Sequence, residues 1–302
     1  MFVRRSLALA ATACLALTLA ACGGDADSAS ASPTCPGGEI RFGVEPFEDP
    51  AKLTPAAEIL GDALEKKLDC PVTVRITEDY SAEVLAMENG KLDLAIFGPL
   101  GYVFASQRAN AEAVASFGDA TGKLSSYTAA IWVAKDSPLT GIEQLKDKTL
   151  ALSSVGSTSG DALPRKALID AGIAQKDVKL KYAGGHPEAL LALVNGSVDA
   201  AEINSQQEAS ATSSGTFDAS KFRKIWTSEP IPNDPITVRG DLDPEFKKAV
   251  EDALLDLDPD AVAKLAALLD VDPPGKLVAV DKATYQPLFD LATALKLTEK
   301  DV

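Results

Sequence analysis

Strand-like and helix-like segments alternate from about residue 40 onward, and this order limits the fold more than any other feature of the sequence. A strand at 39–43 is followed by a helix at 54–68, a strand at 72–77, a helix at 81–89 and a strand at 92–97. Alternation of this kind is typical of an α/β domain with a parallel sheet. In such sheets the ligand crevice lies outside the carboxyl ends of the strands.

A second series of the same kind starts near Lys135. It comprises a strand at 149–152, a helix that ends near Gly172, a strand at 178–182, a helix at 188–194, and strands at 198–204, 222–227 and 236–239. A strand at 127–134 precedes this series, and the last part of the chain is predicted to be mostly helical, at 244–255, 259–269 and 282–295. A chain of 302 residues is too long for one simple core and suits two α/β lobes.

We expect lobe I to comprise residues 39–133 and 233–302, and lobe II to comprise residues 134–232. Each lobe is predicted to be a mainly parallel sheet flanked by helices. The chain would cross between the lobes twice, near residues 132–136 and 227–235, the second time through a proline-rich segment. A cleft between two lobes is the expected place for a small ligand.

The first 21 residues are typical of an export signal. Two arginines precede an apolar run at 7–19, which is too short for a stable membrane span. The run ends in Leu-Ala-Ala-Cys22, which resembles the lipobox of bacterial lipoproteins. This resemblance implies that Cys22 is lipidated and holds the exported protein at the outer face of the cell membrane. Ordinary cleavage near Ala21 is the alternative. Residues 22–38, rich in small and polar residues, are predicted to be a flexible tether.

Two further cysteines, Cys35 and Cys70, lie in the exported part, where disulfides persist. Each stands just before a predicted strand, at 39–43 and at 72–77. If these strands are parallel neighbours, their starting ends are adjacent, and a disulfide between the two cysteines is geometrically natural. Two free thiols are the alternative.

The formal net charge is −15 at pH 7, which argues against binding to nucleic acid or to an anionic membrane surface. A protein this acidic would have to bind an anion through local dipoles and neutral donors. Metal chemistry also lacks support, because the chain has one histidine and its exported part has no cysteine cluster. We therefore expect no metal, no cofactor and no nucleic-acid partner.

A hydroxyl-rich loop joins the strand at 149–152 to the next helix, and it reads Gly156-Ser157-Thr158-Ser159-Gly160. The first N–H groups of a helix lack intrahelical partners, and the helix dipole favours negative charge there. Three hydroxyls beside them predict a site for a small tetrahedral oxyanion. An ordinary N-cap is the structural alternative. The loop also imitates the Gly-x-Ser-x-Gly nucleophile elbow of hydrolases, although its central residue is Thr158.

Several short motifs occur together in the order expected of one known family. They are Phe97-Gly-Pro-Leu-Gly-Tyr102, Ser157-Thr-Ser-Gly160, Tyr182-Ala-Gly-Gly-His186, Gly196-Ser-Val-Asp199-Ala200 and Pro232-Asn-Asp-Pro235. On these motifs the chain resembles the substrate-binding proteins of bacterial phosphonate, phosphite and phosphate ABC importers, which have a type II periplasmic-binding fold. The resemblance implies that the hydroxyls of Ser157, Thr158 and Ser159, with Gly160 at the helix start and His186, hold a small phosphorus oxyanion.

The same resemblance suggests further cleft residues. Asp234 matches an acidic position that receives the ligand's amine in aminophosphonate binders, and Tyr102 matches an aromatic position. Phe47 stands where a tyrosine is frequent, and Glu202 is a second acidic candidate. The phenylalanine shifts the expectation from an aminophosphonate towards phosphite, methylphosphonate or phosphate. The alternatives are a core role for Tyr102, a strand cap for Glu202, a turn for Asp234 and an ordinary surface or core role for His186.

The function implied is that of a monomeric, lipid-anchored binding protein that closes its lobes on the oxyanion and delivers it to an ABC permease. An exported hydrolase using Thr158 or Ser157 with His186 is the alternative. Its acid candidates, Asp199 and Asp234, follow the histidine, whereas α/β-hydrolases have the order nucleophile, acid, histidine. A sensor that reports ligand occupancy to another protein is a third possibility. We expect a binding protein and no enzyme.

Overall fold

The strands of the protein form two large sheets in the computed structural model, which describes residues 34–298. In chain order the strands are β1 (Ile40–Val44), β2 (Val72–Ile76), β3 (Leu94–Ile96), β4 (Glu112–Asp119), β5 (Ser126–Tyr127), β6 (Ala130–Ala134), β7 (Thr149–Leu152), β8 (Lys179–Tyr182), β9 (Ala200–Glu202), β10 (Phe222–Thr227), β11 (Ile231–Pro232), β12 (Pro235–Val238) and β13 (Pro274–Ala279). The α-helices are α1 (Pro50–Leu68), α2 (Tyr80–Glu88), α3 (Pro99–Arg108), α4 (Leu163–Asp170), α5 (His186–Val194), α6 (Ser205–Ser213), α7 (Pro244–Leu255), α8 (Pro259–Leu268) and α9 (Gln286–Leu295). The described residues belong to one compact unit.

Both sheets are mixed rather than mainly parallel. The first has the order β13-β4-β12-β3-β1-β2, and the second has the order β10-β6-β9-β7-β8. The strands that follow the alternating pattern are parallel, β1 with β2 and β3, and β7 with β8 and β9. Antiparallel pairs are added by β4, β12 and β13 in the first sheet and by β6 and β10 in the second. The predicted α/β class is confirmed, and the predicted parallel character holds for only part of each sheet.

The first crossing between the sheets precedes residue 130. Lobe I was predicted to extend to residue 133, whereas β6 pairs with β9 and β10 and so belongs to the second sheet. The predicted strand at 127–134 is in fact divided into β5 and β6. A short ladder between β5 and β11 pairs Tyr127 with Ile231, and so joins the two segments that cross between the sheets.

The sequence pattern does not predict two strands of the first sheet, β4 and β13. β4 is rich in alanine, serine and glycine, which have low strand propensity. β13 begins with Pro-Gly, a pair typical of turns. Ala115, Phe117 and Leu277 in these strands are buried, so tertiary pairing overrides the local preference.

Helix α1 shows how local sequence places an element against the first sheet. The Asp49 carboxylate accepts a hydrogen bond from the Ala51 N–H at 2.8 Å, and Pro50 lies in the first turn. The helix ends at Asp69, whose φ is 50°. Burial of each large apolar side chain contributes roughly 1.5–3 kcal/mol. The buried apolar residues of this helix are Leu53, Ala56, Ala57, Leu60, Leu64 and Leu68.

Cys35 and Cys70 form the predicted disulfide, with an S–S distance of 2.01 Å and a Cα–Cα distance of 5.3 Å. The parallel register aligns Ile40 with Val72, so the starting ends of β1 and β2 are adjacent. The Gly38 N–H also donates a hydrogen bond to the Cys35 carbonyl oxygen at 3.2 Å. The predicted tether therefore cannot extend to residue 38, because the chain is already fixed from Cys35.

The predicted signal peptide at residues 1–21 and the predicted lipidation site at Cys22 lie outside the described residues. Within residues 34–298, no helix is long and apolar enough to cross a membrane.

Candidate functional site

The hydroxyl-rich loop follows β7 and enters α4 through a π-helical turn, Thr158–Ala162. Ser157 is the N-cap of this turn, and its Oγ accepts a hydrogen bond from the Gly160 N–H at 3.1 Å. Gly156 has a φ of 85°, a conformation that favours glycine. The strand, loop and helix therefore follow one another as predicted. Ser157 has the capping role that was the structural alternative, and it faces the cavity as well.

Gly160 is required by packing rather than by contact with a ligand. A Cβ at this position would lie 1.7 Å from Ser153 Oγ and 2.9 Å from His186 Cε1. The Gly160 carbonyl oxygen accepts a hydrogen bond from the Ser153 N–H at 3.0 Å. Gly160 thus brings the turn against β7, and it is not among the residues that line the cavity.

A small cavity lies beside this loop, with a volume of about 10 Å³, roughly that occupied by one water-sized probe. The predicted site residues that line it are Phe47, Ser157, Thr158, Ser159, His186 and Asp234. The lining residues that were not predicted are Glu45, Tyr80, Gly98, Tyr127, Asn204 and Gln206. These residues follow or flank strands of both sheets, so the cavity lies where the carboxyl ends of the parallel strands converge.

His186 begins α5 and lies in a buried chain of hydrogen bonds. Its Nε2 is 3.2 Å from Ser157 Oγ, and its Nδ1 is 3.2 Å from Glu202 Oε2. A carboxylate can only accept hydrogen bonds, so the Nδ1–H donates to Glu202 and the ring orientation is fixed. Glu202 is fully buried behind the histidine. Glu202 was predicted to contact the ligand, but it is not among the residues that line the cavity, and its position orients His186.

The two other hydroxyls of the loop also have defined partners. Thr158 Oγ1 accepts a hydrogen bond from the Leu100 N–H at 2.8 Å, and Ser159 Oγ accepts one from Asn204 Nδ2 at 3.1 Å. Because the oxygen of each hydroxyl accepts from the protein, its O–H remains oriented away from that donor. The hydroxyls of Thr158 and Ser159 can therefore act as hydrogen-bond donors towards an anion in the cavity, whereas the Ser157 O–H has His186 Nε2 as a second acceptor at 3.2 Å.

Tyr102 lies in the hydrophobic core and not at the cavity. Its ring centroid is 5.3 Å from that of Tyr285 and 6.0 Å from that of Phe289, both in edge-to-face arrangements. Tyr102 was predicted to contact the ligand, but it is not among the residues that line the cavity, because α3 turns this face towards α9. Tyr80 and Tyr127 supply the aromatic walls of the cavity instead.

Three buried carboxyl groups, of Glu45, Glu83 and Asp234, lie close enough to influence one another. Burial raises the pKa of Asp234 to about 8. Burial and then the charge of Asp234 raise the pKa of Glu45, and the hydrogen bond with the Gly98 backbone partly opposes this. Burial and the charges of Glu45 and Asp234 also raise the pKa of Glu83. The site thus combines many neutral donors with carboxyl groups that resist ionisation.

Neutral hydrogen-bond donors distinguish this cavity from the other candidate sites in the described part of the chain. Within residues 34–298, no group of three or more His, Cys, Asp or Glu side chains could hold a metal ion. A larger groove of about 730 Å³ runs between α4, α9 and residues 226–232. Its walls are mainly apolar, and the hydroxyl-rich loop lies outside it. The small cavity is therefore the candidate site.

Comparison with known proteins places these features in a family. The family described as "ABC transporter, phosphonate, periplasmic substrate-binding protein" matches residues 42–285. The phosphonates-binding periplasmic protein of Escherichia coli (strain K12) is 30% identical over 218 residues, which are 70% of this chain and 64% of that relative, slightly under two thirds of its length. The phosphate-import protein PhnD of Mycolicibacterium smegmatis is 27% identical over 248 residues, covering 78% of this chain and 77% of that relative.

A solved structure shows the same fold. PhnD1 from Prochlorococcus marinus (MIT 9301), in complex with methylphosphonate, superimposes with a TM-score of 0.75 at 20% sequence identity. The match covers 88% of this chain and 100% of that chain. At this identity the comparison concerns the fold, and the site must be argued from the residues described above.

Proposed function

Because this chain belongs to the phosphonate-binding family of periplasmic substrate-binding proteins of ABC transporters, we propose that it captures a small phosphorus oxyanion and delivers it to an ABC permease in the membrane. The proposed ligand is phosphite, a phosphonate or phosphate. The α/β architecture, with two mixed sheets flanked by helices, is the type II periplasmic-binding fold.

The observation that carries this proposal is the convergence of neutral donors on one small cavity. The hydroxyls of Ser157, Thr158 and Ser159 stand at the start of a helical turn, and His186 faces the same space. Hydrogen bonds to a charged acceptor are stronger than those between neutral groups. Since the net charge of the chain is −15, its overall field repels anions, and recognition would rest on these local donors.

The cavity has room for about one water-sized probe, so even a small tetrahedral oxyanion would have to widen it, and an extended ligand would have to widen it further. Its walls are close together, and Phe47 offers no polar group to an extended amino ligand. The Mycolicibacterium relative is named for phosphate import, and the Prochlorococcus structure holds methylphosphonate. Both of those ligands are small tetrahedral oxyanions, which agrees with the class proposed here.

Closure of two lobes over the ligand is supported by contacts that join the two sheets beside the cavity. The Leu100 N–H, after β3, donates to Thr158 Oγ1, after β7. At the rim, Ser210 Oγ of α6 donates to Glu48 Oε2 at 2.6 Å and accepts from Lys52 Nζ of α1 at 3.1 Å. We propose that the two sheets are the cores of two lobes, and that a ligand contacting both favours this closed arrangement.

We also propose that the protein is a monomer held to the membrane by a lipid on Cys22. This rests on the Leu-Ala-Ala-Cys22 sequence after an apolar run. The Cys22→Ser chain should appear in the soluble fraction with unchanged ligand affinity. Membrane association that survives this substitution would contradict the anchor.

Hydrolysis is not proposed, although Ser157, His186 and Glu202 contact one another in series. The family is described as periplasmic substrate-binding proteins of ABC transporters. In addition, Ser157 Oγ is engaged by the Gly160 N–H as a helix cap. A sensing role would use the same bound form with a different partner protein.

Calorimetric titration of the purified protein with phosphite, phosphate, methylphosphonate and 2-aminoethylphosphonate tests the proposal. At least one of the first three should bind more tightly than the aminophosphonate. Absence of binding by all four, together with turnover of p-nitrophenyl esters, would contradict the transport role.

A further inference from the structure

The apolar groove between α4, α9 and the crossing segment 226–232 has a volume of about 730 Å³ and takes no part in the proposed function. Pockets that hold small organic molecules in proteins have volumes of about 300–1,000 Å³, and most of their walls are apolar. The groove therefore has the dimensions and the character of a second ligand site. Its apolar lining residues include Leu163, Ala167, Trp226, Ile231, Leu288 and Leu291.

The two long walls of the groove are attached to different sheets. Leu288 and Leu291 of α9 belong to the buried cluster that contains Ala95 of β3, in the first sheet. Leu168 of α4 belongs to the cluster that contains Leu150 of β7, in the second sheet. A rotation of one sheet relative to the other therefore moves one wall of the groove relative to the other. The groove has its present shape in the closed arrangement proposed above.

The groove and the ligand cavity share two structural elements. Leu163 lines the groove and directly follows the hydroxyl-rich turn Thr158–Ala162, which borders the cavity. In the ladder between β5 and β11, Tyr127 lines the cavity and its partner Ile231 lines the groove. An occupant of the groove would therefore contact the same elements that shape the cavity.

The charged side chains of the groove are mostly acidic. The ammonium group of Lys166 is 2.6 Å from the Asp170 carboxylate, so these two charges offset each other. Glu229 and Asp290 add two exposed carboxylates, and the lining residues, all within 34–298, include no further lysine or arginine. Asp290 Oδ1 accepts a hydrogen bond from Gln286 Nε2 at 2.9 Å, but this donor is neutral and leaves the charge uncompensated. A molecule with an apolar body and one cationic end is complementary to this groove.

We propose that the groove is a regulatory site for small organic ammonium ions with an apolar body, and that its occupation strengthens oxyanion binding at the cavity. The apolar body lies between α4 and α9, and the ammonium group faces Glu229 and Asp290. An occupant that contacts both walls favours the closed arrangement, because it loses contacts when the walls separate. The coupling rests on the proposed function, whereas binding of the cation does not. Coupling between two sites has the same magnitude in both directions.

The site is tested with 4-phenylbutylamine and 4-phenylbutyrate, which share an apolar body and carry opposite charges at pH 7. Calorimetry on the purified protein at low salt should show that the amine binds roughly 3- to 30-fold more tightly, because pairs of exposed charges interact only modestly. The double variant Glu229→Gln, Asp290→Asn should lose this difference. The double variant Glu58→Gln, Glu78→Gln is the matched control and should keep it, because it removes two exposed carboxylates outside the groove.

The coupling is measured with the tightest-binding phosphorus oxyanion. Saturating 4-phenylbutylamine should lower the dissociation constant of the oxyanion at least about fivefold, and saturating oxyanion should lower that of the amine by the same factor. Ala294→Trp fills the groove from an exposed position of α9, so it should block the amine and strengthen oxyanion binding without it. Thr293→Trp is the matched control and should do neither, because Thr293 is exposed on the same helix outside the groove. If Ala294→Trp does not fold, Ala171→Trp fills the groove from the end of α4.

No binding of the amine, or equal binding of the amine and the carboxylate, would overturn the proposed site. Amine binding that leaves the dissociation constant of the oxyanion unchanged, or raises it, would overturn the coupling. Self-association of the wild-type protein that Ala294→Trp abolishes would assign the groove to a second copy of the chain and overturn the proposal as well. If the amine binds but no phosphorus oxyanion does, the proposed function and the coupling are contradicted, and the cation site stands.

Discussion

The Leu100 backbone N–H donates a hydrogen bond to the Thr158 hydroxyl oxygen across 2.8 Å. Leu100 lies in the first turn of α3, after the first sheet's β3, and Thr158 begins the turn after the second sheet's β7. The same hydroxyl lines the cavity. One side chain therefore joins the two sheets and faces the candidate ligand site.

Thr158→Val tests this double role, because valine keeps the shape and removes the hydroxyl. The ligand loses one hydrogen bond to a charged group, so affinity should fall by roughly 1–3 kcal/mol, about 5- to 150-fold. Calorimetry with the tightest-binding oxyanion gives the value. Thr158→Ser keeps the hydroxyl and should bind nearly as the wild-type protein does. Unaltered binding by Thr158→Val would mean that the ligand lies elsewhere.

The disulfide should contribute measurably to stability, because it closes a loop between cysteines 35 positions apart. In the chain-entropy treatment a loop of this length contributes about 3–4 kcal/mol. The double variant Cys35→Ala, Cys70→Ala should lose about that much free energy of unfolding in urea. Intact-mass analysis after alkylation without reductant should show that neither Cys35 nor Cys70 is labelled. Labelling of both thiols in the wild-type protein would disprove the bond.

Asp234 should make stability depend on pH. An unfolded aspartate ionises near pH 3.9, whereas burial raises the pKa of Asp234 in the folded protein to about 8. Between these values the folded state binds more protons than the unfolded state, so the contribution of Asp234 to the free energy of unfolding falls as pH rises.

The Asp234→Asn variant has no ionisable group at this position, so its free energy of unfolding should not show this part of the decline with pH. The free energy of unfolding of the variant, relative to that of the wild-type protein, should therefore increase from pH 5 to pH 8. Urea unfolding of the ligand-free protein at several pH values measures this. Parallel stability curves for the two proteins would show that Asp234 ionises freely in the folded state.

Glu83 should be destabilising in the folded protein. It is fully buried in α2, and within residues 34–298 neither of its carboxyl oxygens has a hydrogen-bond partner. Burial, with the charges of Glu45 and Asp234, raises its pKa. Glu83→Met is similar in shape and removes the unpaired polar group, so the free energy of unfolding should rise by roughly 1–3 kcal/mol. Glu83→Gln keeps a buried polar group and should gain less. A loss of stability in Glu83→Met would contradict this account.

The sequence predicts the fold where periodicity and end signals agree. In α1 an apolar stripe follows the Asp49 cap and Pro50, and in the β1 and β2 pair each strand follows a cysteine. The sequence does not predict the fold where pairing between distant strands determines the structure. The alanine and serine residues of β4 have little strand propensity, and β6 belongs to the second sheet, whose other strands follow it in the chain.

The candidate site, like the fold, was predicted from the sequence only in part. Residues that stand in motifs at strand ends converge as predicted, namely Phe47, Ser157, Thr158, Ser159, His186 and Asp234. Tyr102 lies in a helix whose other residues are largely apolar, so the sequence alone does not tell which face of α3 packs against the core. Glu45 resembles a solvated loop residue until the fold buries it beside Gly98. Tyr80 had a local signal, since it follows the Asp79 cap directly after β2.

The ladder between β5 and β11 has a practical consequence. Tyr127 lines the cavity and pairs with Ile231, and Trp226 lies against the same cluster. The chain has two tryptophans, and the other, Trp132, is buried in the second sheet with its ring centroid 5.4 Å from that of Phe217. One of the two indoles therefore stands beside the segments through which the chain crosses between the sheets. Its fluorescence emission should shift when the cavity fills, which gives this protein a label-free optical signal of occupancy.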